Sequence, residues 1–324
     1  MDKKIFESFQ RETFLVTGGA GFIGSNLCET LLSYGCFVKC LDNFYSGKKE
    51  NIISFMNHPN FTLLEGDIQN FDTCMQACEN VSYVLHQAAL GSVPASIKHP
   101  VDYSSVNITG TINLLESAKK CGVKKFVYAS SSSVYGNAPL PNKEGQETQL
   151  LSPYALTKKS AEDWARLYKI LYNLDTYGLR YFNVYGKRQD PNGMYAAVIP
   201  KFTSILLKGD TPTIYGDGTQ TRDFTYINDV ITANLLACKS SSNIAGNVFN
   251  IAYGERESVL EVYKALCSLL NKPFCPQFAP AQKGEIKHSY ADLTNTKQSL
   301  GFEGEFNFSK GLSLCMEWYK KTLS

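Results

Sequence analysis

The chain has 324 residues, of which 44% are hydrophobic and 19% charged, and its 32 basic and 30 acidic residues leave a formal net charge of +2. That balance gives no electrostatic argument for a nucleic-acid or membrane partner, and we expect neither; the first residues lack the apolar core of a signal peptide. The ten cysteines form no CxxC pair or metal set, so we expect a reduced, soluble, cytoplasmic protein without a metal site.

Short apolar strands alternate with helical segments through the first half of the chain, the pattern of a parallel sheet covered by helices on both faces. The pattern predicts strands over residues 13–17, 36–41, 61–64, 83–86, 125–129 and 176–180, and helices from 22, over 107–120 and over 154–172. Beyond about residue 185 turn clusters dominate, although 228–239 is typical of a helix and 247–252 of a buried strand. We therefore predict a doubly wound α/β fold, with a Rossmann-type domain over 1–184, which 228–252 rejoins, and a smaller substrate lobe over 185–324.

Three glycines, Gly18, Gly21 and Gly24, lie between the first predicted strand and the helix after it. Glycines at this spacing permit a tight turn and close approach of the backbone to a pyrophosphate, which rests on the helix N-terminus. Asp42 ends the second strand, where a carboxylate accepts hydrogen bonds from an adenosine ribose and repels a 2′-phosphate. The sequence therefore predicts a dinucleotide site that favours NAD over NADP.

Tyr154 and Lys158 lie four residues apart at the start of a predicted helix, so they share one face. There the ammonium can lower the pKa of the phenol, which otherwise stays protonated near neutral pH. A run of serines, 130–133, follows the fifth strand, at the sheet edge where open α/β sheets bind ligands. We expect a serine, the tyrosine and the lysine to converge on an alcohol or ketone oxygen.

The GxxGxxG spacing resembles that of the extended short-chain dehydrogenase/reductase family. The resemblance implies that Tyr154 is the acid/base, that Lys158 holds the nicotinamide ribose, and that a serine, with Ser131 favoured, contacts the reacting oxygen. Asp67 and Ile68 would flank the adenine, and Asn107 would hold a structural position near the cofactor. The remaining cofactor residues that it implies are Phe22, Ile23, Asn43, Ser46, Gly47, Gln87, Ala88, Ala89 and Tyr181.

Dehydratases of this family typically carry an Asp-Glu pair beside the serine run. Here the run holds serines only, and the nearest acid is Glu144 in the following loop. Elimination would lack its acid and base. The sequence therefore favours removal of a hydride and its return, without elimination.

Segments 89–94, 151–155, 180–193, 196–200, 216–218, 221–223 and 283–292 resemble those of bacterial UDP-N-acetylglucosamine 4-epimerases. By that likeness Arg222 would pair with the diphosphate, since its fork matches phosphate oxygens. In the wider family of 4-epimerases, a tyrosine at the position of Ser289 restricts the pocket to plain hexoses. The resemblance therefore implies that the smaller serine leaves room for an N-acetyl group. An arginine common in the family is replaced by Gln282, beside Lys283. The other substrate residues implied are Ser92, Val93, Ser131, Ser132, Ser133, Asn183, Ala197, Val198 and Tyr215.

The resemblance implies an enzyme that interconverts UDP-GlcNAc and UDP-GalNAc by transient oxidation at carbon 4 with tightly bound NAD. UDP-glucose and UDP-galactose stay open as further substrates. A UDP-glucuronate 4-epimerase and a net NAD-dependent nucleotide-sugar oxidoreductase are the alternatives, whereas a cofactor-sensing regulator would usually lack Tyr154 and Lys158. By family analogy we also expect a homodimer through helices 107–120 and 154–172.

Overall fold

The computed structural model describes residues 7–192, 196–281 and 287–323. Its strands are β1 (Thr13–Thr17), β2 (Phe37–Asp42), β3 (Phe61–Glu65), β4 (Tyr83–His86), β5 (Lys125–Ser131), β6 (Asp175–Tyr181), β7 (Val184–Tyr185), β8 (Thr213–Tyr215), β9 (Thr221–Arg222), β10 (Thr225–Tyr226), β11 (Val248–Ile251), β12 (Glu257–Ser258) and β13 (Gln277–Ala279). Seven of them form one parallel sheet in the order β3-β2-β1-β4-β5-β6-β11. This order confirms the predicted doubly wound α/β fold.

The α-helices of the described chain are α1 (Phe22–Ser33), α2 (Phe71–Cys78), α3 (Val93–Lys98), α4 (Pro100–Ser104), α5 (Gly110–Lys120), α6 (Pro153–Tyr172), α7 (Val198–Leu207), α8 (Ile227–Lys239), α9 (Val259–Leu270) and α10 (Phe308–Leu323). Short 3-10 turns span Lys49–Asn51, Ser132–Tyr135 and Ser242–Ile244, and π-helical turns span Ser105–Thr109 and Thr296–Leu300. Helix α6 begins as predicted, because the Ser152 hydroxyl accepts from Ala155 N at 3.1 Å and a proline follows the cap.

The strand order reverses at β1, which lies between β2 and β4. Thr17, the last residue of β1, is in register with Leu41 on one side and His86 on the other. The chain therefore leaves β1, β2 and β4 at the same carboxyl edge, where doubly wound sheets bind their ligands. Gly18, Asp42 and Gln87 meet there.

Most predicted bounds agree with the structure to within one residue, and two elements differ by more. Strand β5 continues to Ser131 rather than ending at 129, because Ser130 and Ser131 pair with Arg180 and Tyr181 of β6. The helix predicted over 107–120 is α-helical only from Gly110. Its first predicted residues, including Asn107, belong instead to the π-helical turn Ser105–Thr109. Such turns often occur at functional sites.

The core has two layers, because alternate strand residues face opposite sides of the sheet. Phe14 and Val16 belong to one buried cluster, and Leu15 between them belongs to the other. The strand predicted at 247–252 is β11, and it extends the main sheet beside β6. The remaining strands form three small two-stranded sheets, β7 with β10, β9 with β12 and β8 with β13. The division into two domains stays a prediction.

Across the described ranges, no helix combines the length and apolar character needed to span a bilayer. All ten cysteines are free thiols, and Cys275 is the exposed one. The same ranges hold no cluster of three or more His, Cys, Asp or Glu side chains with the arrangement of a metal site.

Candidate active site

The turn between β1 and α1 can be built only with glycine at two positions. Gly18 has a φ of +64°, and a Cβ there would lie 2.8 Å from Ala88 N. A Cβ on Gly24 would lie 2.1 Å from Gly18 O. Helix α1 starts at Phe22 without a side-chain cap, so its first backbone N–H groups are available to a phosphate.

Asp42 lies at the end of β2 beside this turn and is 7% exposed. Its carboxylate accepts hydrogen bonds from Ala20 N at 2.9 Å and Phe44 N at 2.8 Å. A Cβ on Gly47 would lie 2.7 Å from Asp42 Oδ1, so glycine at 47 is what lets the following loop approach the carboxylate. Each carboxylate oxygen keeps lone-pair capacity for a ribose hydroxyl.

A cavity of about 610 Å³ opens over the turn. Most of the predicted cofactor residues line it: Gly18, Gly21, Phe22, Ile23, Gly24, Asp42, Asn43, Ser46, Asp67, Ile68, Gln87, Ala88 and Ala89. We call it the cofactor cavity. The sequence analysis missed Tyr45 and Val101, which also line it and are each 77% exposed. Only their positions could have indicated this role: each is a large side chain in a predicted loop, Tyr45 shortly after the second strand and Val101 shortly before the helix predicted from 107.

Asn107 does not line the cofactor cavity but supports its wall. Its carboxamide accepts from Leu90 N at 2.8 Å and donates to Leu90 O at 3.1 Å and to Thr157 Oγ1 at 3.0 Å. It therefore joins the loop after β4 to helix α6. This contact pattern agrees with the structural position implied for Asn107.

His86 lies beneath the same loop in a relay of buried hydroxyls. Thr111 Oγ1 donates its hydrogen to Asn107 O at 2.6 Å, so it can only accept from His86 Nε2, which lies 3.0 Å from Thr111 Oγ1. The ring proton of His86 is therefore on Nε2. Nδ1 then accepts from Thr17 Oγ1 at 2.7 Å. Burial, with a smaller effect of the Lys158 charge, lowers the pKa of His86 to about 3. The sequence analysis did not identify this relay.

A second cavity, of about 840 Å³, shares Phe22, Ile23, Gln87, Ala89 and Gly91 with the first, and we call it the chemical cavity. The structure brings these predicted residues together in its wall: Val93, Ser131, Ser132, Ser133, Tyr154, Lys158, Tyr181, Asn183, Arg222 and Ser289. A substrate here would therefore lie next to the nicotinamide end of a dinucleotide in the cofactor cavity.

The tyrosine and lysine of α6 converge with the serine run as predicted, but their electrostatics differ from the prediction. Lys158 Nζ donates to Ala129 O at 2.8 Å and lies 5.9 Å from the centroid of the Tyr154 ring. Burial raises the pKa of Tyr154, and a hydrogen bond with Ser131 partly offsets the rise. The expected lowering of the phenol pKa by Lys158 is therefore not seen, because the ammonium is directed to the end of β5.

Burial lowers the pKa of Lys158 to about 8, and the negative charge of Glu162 opposes that shift. Glu162 lies one turn further along α6, where its carboxylate binds Arg180 through two hydrogen bonds of 2.8 and 2.7 Å. Ser130 Oγ also donates to Glu162, at 2.5 Å. The sequence analysis missed this pair, whose partners come from different elements; the only local signal was an acid four residues after Lys158.

Asn183 and Ser289, which both line the chemical cavity, are hydrogen-bonded to each other. Asn183 Nδ2 donates to Ser289 Oγ at 3.1 Å and to Asp223 O at 3.0 Å. The Asp223 carboxylate is fully buried and accepts from Gly254 N and Ala291 N at 3.1 and 3.2 Å. Burial raises its pKa to about 7 against these hydrogen bonds. Asp223 thus ties three segments around the site.

Four predicted substrate residues lie outside the described wall of either cavity. Ser92 caps α3, Ala197 and Val198 begin α7, and Tyr215 ends β8. Their assignment to the substrate stays a prediction. Gln282 and Lys283, where a common arginine is replaced, lie outside the described residues.

The fold and the two joined cavities define an extended short-chain dehydrogenase/reductase. The glycine turn fits the pyrophosphate of a dinucleotide, because a Cβ at position 18 or 24 would close the turn. The Asp42 carboxylate fits the unphosphorylated adenosine ribose of NAD, because it can accept hydrogen bonds from the ribose hydroxyls.

Comparison with known proteins identifies the family. The profile of the NAD dependent epimerase/dehydratase family matches residues 14–252. A UDP-glucose 4-epimerase of Mycolicibacterium smegmatis is 37% identical, over 94% of this chain and 98% of that protein. The chain therefore belongs to the NAD-dependent epimerase/dehydratase family, and NAD is its cofactor.

Two solved structures are also similar. One is a UDP-N-acetylglucosamine 4-epimerase from Methanobrevibacter ruminantium M1 in complex with UDP-N-acetylmuramic acid, with a TM-score of 0.92, 37% identity and coverage of 96% of this chain and 99% of that chain. The other is a UDP-glucuronic acid 4-epimerase from Bacillus cereus in complex with UDP-glucuronic acid and NAD, with a TM-score of 0.88, 34% identity and coverage of 95% and 99%.

Proposed function

We propose that this protein is a UDP-N-acetylglucosamine 4-epimerase, which interconverts UDP-GlcNAc and UDP-GalNAc. The coarser activity does not depend on the sugar: the chain is an NAD-dependent nucleotide-sugar 4-epimerase. The observation that carries the N-acetyl assignment is Ser289. Its small side chain lines the chemical cavity and is anchored by Asn183, so this part of the wall leaves room for an N-acetyl group.

The chain's own residues would act as follows. Bound NAD supplies the hydride acceptor and donor at carbon 4. Tyr154 in its phenolate form would remove the proton from the 4-hydroxyl and later return it. Ser131, whose hydrogen bond partly offsets the rise in the Tyr154 pKa, would orient that oxygen through its hydroxyl. Lys158 would hold the nicotinamide ribose, and burial lowers the pKa of its ammonium to about 8, so it carries its positive charge only below about that pH. Inversion requires the oxidised sugar to turn over, and anchoring of the diphosphate by Arg222 would leave the sugar end free to rotate.

UDP-glucuronate is the strongest alternative, and the charges in the wall argue against it. A uronate carboxylate in a buried site is stabilised best by a cation of its own. The basic side chains in the described wall of the chemical cavity are Lys158, Arg222 and His288. Lys158 Nζ donates to Ala129 O, His288 Nδ1 lies 2.8 Å from Thr221 Oγ1, and we assign Arg222 to the diphosphate. None of the three is then left for a carboxylate on the sugar.

The test is to incubate the protein separately with UDP-GlcNAc, UDP-glucose and UDP-glucuronate and to identify the products by NMR. We expect UDP-GalNAc to form from UDP-GlcNAc without accumulation of free NADH. Interconversion of UDP-glucuronate alone, or of plain hexoses alone, would overturn the N-acetyl assignment. Net production of NADH would instead indicate an oxidoreductase.

Two variants connect the activity to the site. Tyr154→Phe removes the proton-transferring hydroxyl and should lower turnover by at least roughly 100-fold while NAD stays bound. Ser289→Tyr should reduce activity on UDP-GlcNAc more than on UDP-glucose, because the larger side chain occupies the space assigned to the N-acetyl group. An equal loss on both sugars would show that Ser289 does not select for sugar size.

We also propose that the protein forms a homodimer through α5 and α6. The outer face of α6 carries large apolar side chains that are 40–66% exposed, namely Leu156, Leu167, Ile170 and Leu171. A second copy covering this face would remove them from water. Light scattering should give twice the mass of the 36.0 kDa chain, whereas a monomer at micromolar concentration would contradict the proposal.

A further inference from the structure

Two large, mostly apolar side chains stand in solvent in the wall of the cofactor cavity. Tyr45 lies in the loop after β2 and Val101 in helix α4, and each is 77% exposed although both line the cavity. A single exposed apolar side chain needs no explanation. Two that reach the same cavity from separate elements indicate that a ligand covers them.

The position of these side chains identifies the part of NAD that lies beside them. The cofactor cavity joins the chemical cavity at five shared wall residues, where the nicotinamide would lie, namely Phe22, Ile23, Gln87, Ala89 and Gly91. Tyr45 and Val101 line the cofactor cavity alone, so they lie away from this junction. Asp42, which we assign to the adenosine ribose, precedes Tyr45 by three residues. The base on that ribose is therefore the part of NAD that reaches them.

The backbone that carries Tyr45 is fixed by hydrogen bonds. Phe44, the residue before it, has a φ of +56°, a left-handed conformation that a bulky residue rarely adopts. Phe44 N donates to Asp42 Oδ1 at 2.8 Å, and Tyr45 N donates to Asn43 Oδ1 at 3.0 Å. Asn43 Nδ2 in turn donates to Asp67 Oδ2 at 2.8 Å, in the loop after β3. Backbone strain of this kind persists where the surrounding structure imposes it, and it is common at ligand clamps.

Helix α4, which carries Val101, is also held in place. The buried Tyr103 ring meets the Tyr154 ring edge to face, with the centroids 6.4 Å apart. Ser105, just after the helix, donates to Gln69 Oε1 at 2.6 Å, and both residues line the cofactor cavity. Val101 therefore stands in solvent on a fixed support.

We propose that Tyr45 and Val101 cover the adenine base of NAD and so retain the cofactor between removal of the hydride and its return. An aromatic ring and a branched aliphatic side chain offer a flat base an apolar contact, and burial of their exposed surface favours the bound state. A 4-epimerase needs this retention, because release of NADH would leave the oxidised sugar without its hydride donor. The inference rests on the NAD cofactor and not on which sugar is epimerised, so failure of the N-acetyl assignment would not affect it.

The test compares Tyr45→Ser and Val101→Ser with Ile53→Ser in the purified, NAD-loaded enzyme. Ile53 is a matched control because it follows Tyr45 in the same connection, is 65% exposed and lines neither cavity in the described chain. Dilution followed by filtration and measurement of free NAD gives the release rate without any turnover. We expect release to be faster by roughly 10-fold for Tyr45→Ser and roughly 3-fold for Val101→Ser, following the apolar contact that is lost. Ile53→Ser should leave the rate unchanged.

Two further measurements identify the contact. Tyr45→Phe keeps the ring, so NAD should be released at the wild-type rate; release as fast as from Tyr45→Ser would assign the effect to the hydroxyl and overturn the proposal. ADP-ribose lacks the nicotinamide, so Tyr45→Ser should weaken ADP-ribose and NAD equally, and competition between them should give the wild-type ratio of affinities. A loss for NAD alone would place the contact at the nicotinamide end. Unchanged release from either cavity variant, or equally fast release from Ile53→Ser, would likewise overturn the proposal.

Discussion

The ion pair between Glu162 and Arg180 should contribute strongly to stability, and Glu162→Gln is the substitution that tests it. Both side chains are 5% exposed, and the guanidinium meets the carboxylate through two hydrogen bonds of 2.8 and 2.7 Å. Glutamine keeps the shape but removes the charge. Burial lowers the pKa of Arg180, but its hydrogen bonds and charge interaction with Glu162 raise it further than burial lowers it. An arginine keeps its proton in proteins, so the variant would leave a charged guanidinium in the core.

Removal of one partner of such a buried pair leaves an uncompensated charge and costs about 3–5 kcal/mol. The neighbouring residue supplies a matched control. Asp163 pairs with Lys159 on the same helix, but its side chain is 63% exposed, so Asp163→Asn should cost less than about 1 kcal/mol. Urea unfolding followed by circular dichroism measures both variants, and the midpoint should fall several times further for Glu162→Gln.

A double variant separates the charge from the packing. Glu162→Met with Arg180→Leu removes both charges, so it should be more stable than Glu162→Gln alone, because no unpaired ion is left in the core. Two results would refute the reasoning: a loss for Glu162→Gln no larger than that for Asp163→Asn, or a double variant less stable than the single one.

Three further predictions concern other buried groups. Asp42→Asn should weaken NAD binding by roughly 10- to 100-fold, the effect of losing charged hydrogen bonds, and reduce discrimination against NADP; fluorescence titration that finds both unchanged would contradict the ribose assignment. The pKa of His86 is lowered from 6.5 to about 3, so its contribution to stability is present above pH 6.5 and is lost as the pH falls through that range. His86→Asn should therefore flatten the acid limb of a plot of melting temperature against pH, and an unchanged limb would count against a neutral buried imidazole. Asp223 has the opposite sign: its pKa is raised from 3.8 to about 7, so its contribution is present below pH 3.8 and lost as the pH rises to about 7. Asp223→Asn should remove that loss, and the same melting curves test it.

The cofactor half of the site could be predicted from the sequence because its determinants are local. Gly18, Gly21 and Gly24 lie in one turn, and Asp42 ends the next strand. Their assignment to a dinucleotide site requires only that a strand, a turn and a helix follow one another, and the periodicity of apolar residues indicates that order. The same holds for the shared face of Tyr154 and Lys158, since helix geometry sets it.

What periodicity could not decide was the environment of those groups. Helix spacing brings Lys158 near Tyr154, but the packing of α6 against β5 turns its ammonium to Ala129 O and buries the phenol. The predicted effect on the pKa of Tyr154 was wrong for that reason. The end of β5 likewise depended on pairing of Ser130 and Ser131 with β6.

The sequence by itself thus determined the fold class, the cofactor turn and the residue types of the chemistry, because each follows from short-range pattern. Only the tertiary structure decided which groups are buried, paired or left exposed. Glu162 meets Arg180 across two elements, and Tyr45 and Val101 reach one cavity from separate elements. Burial and pairing arise from contacts between segments distant in the chain, and those contacts set the charge, the pKa and the selectivity of the site.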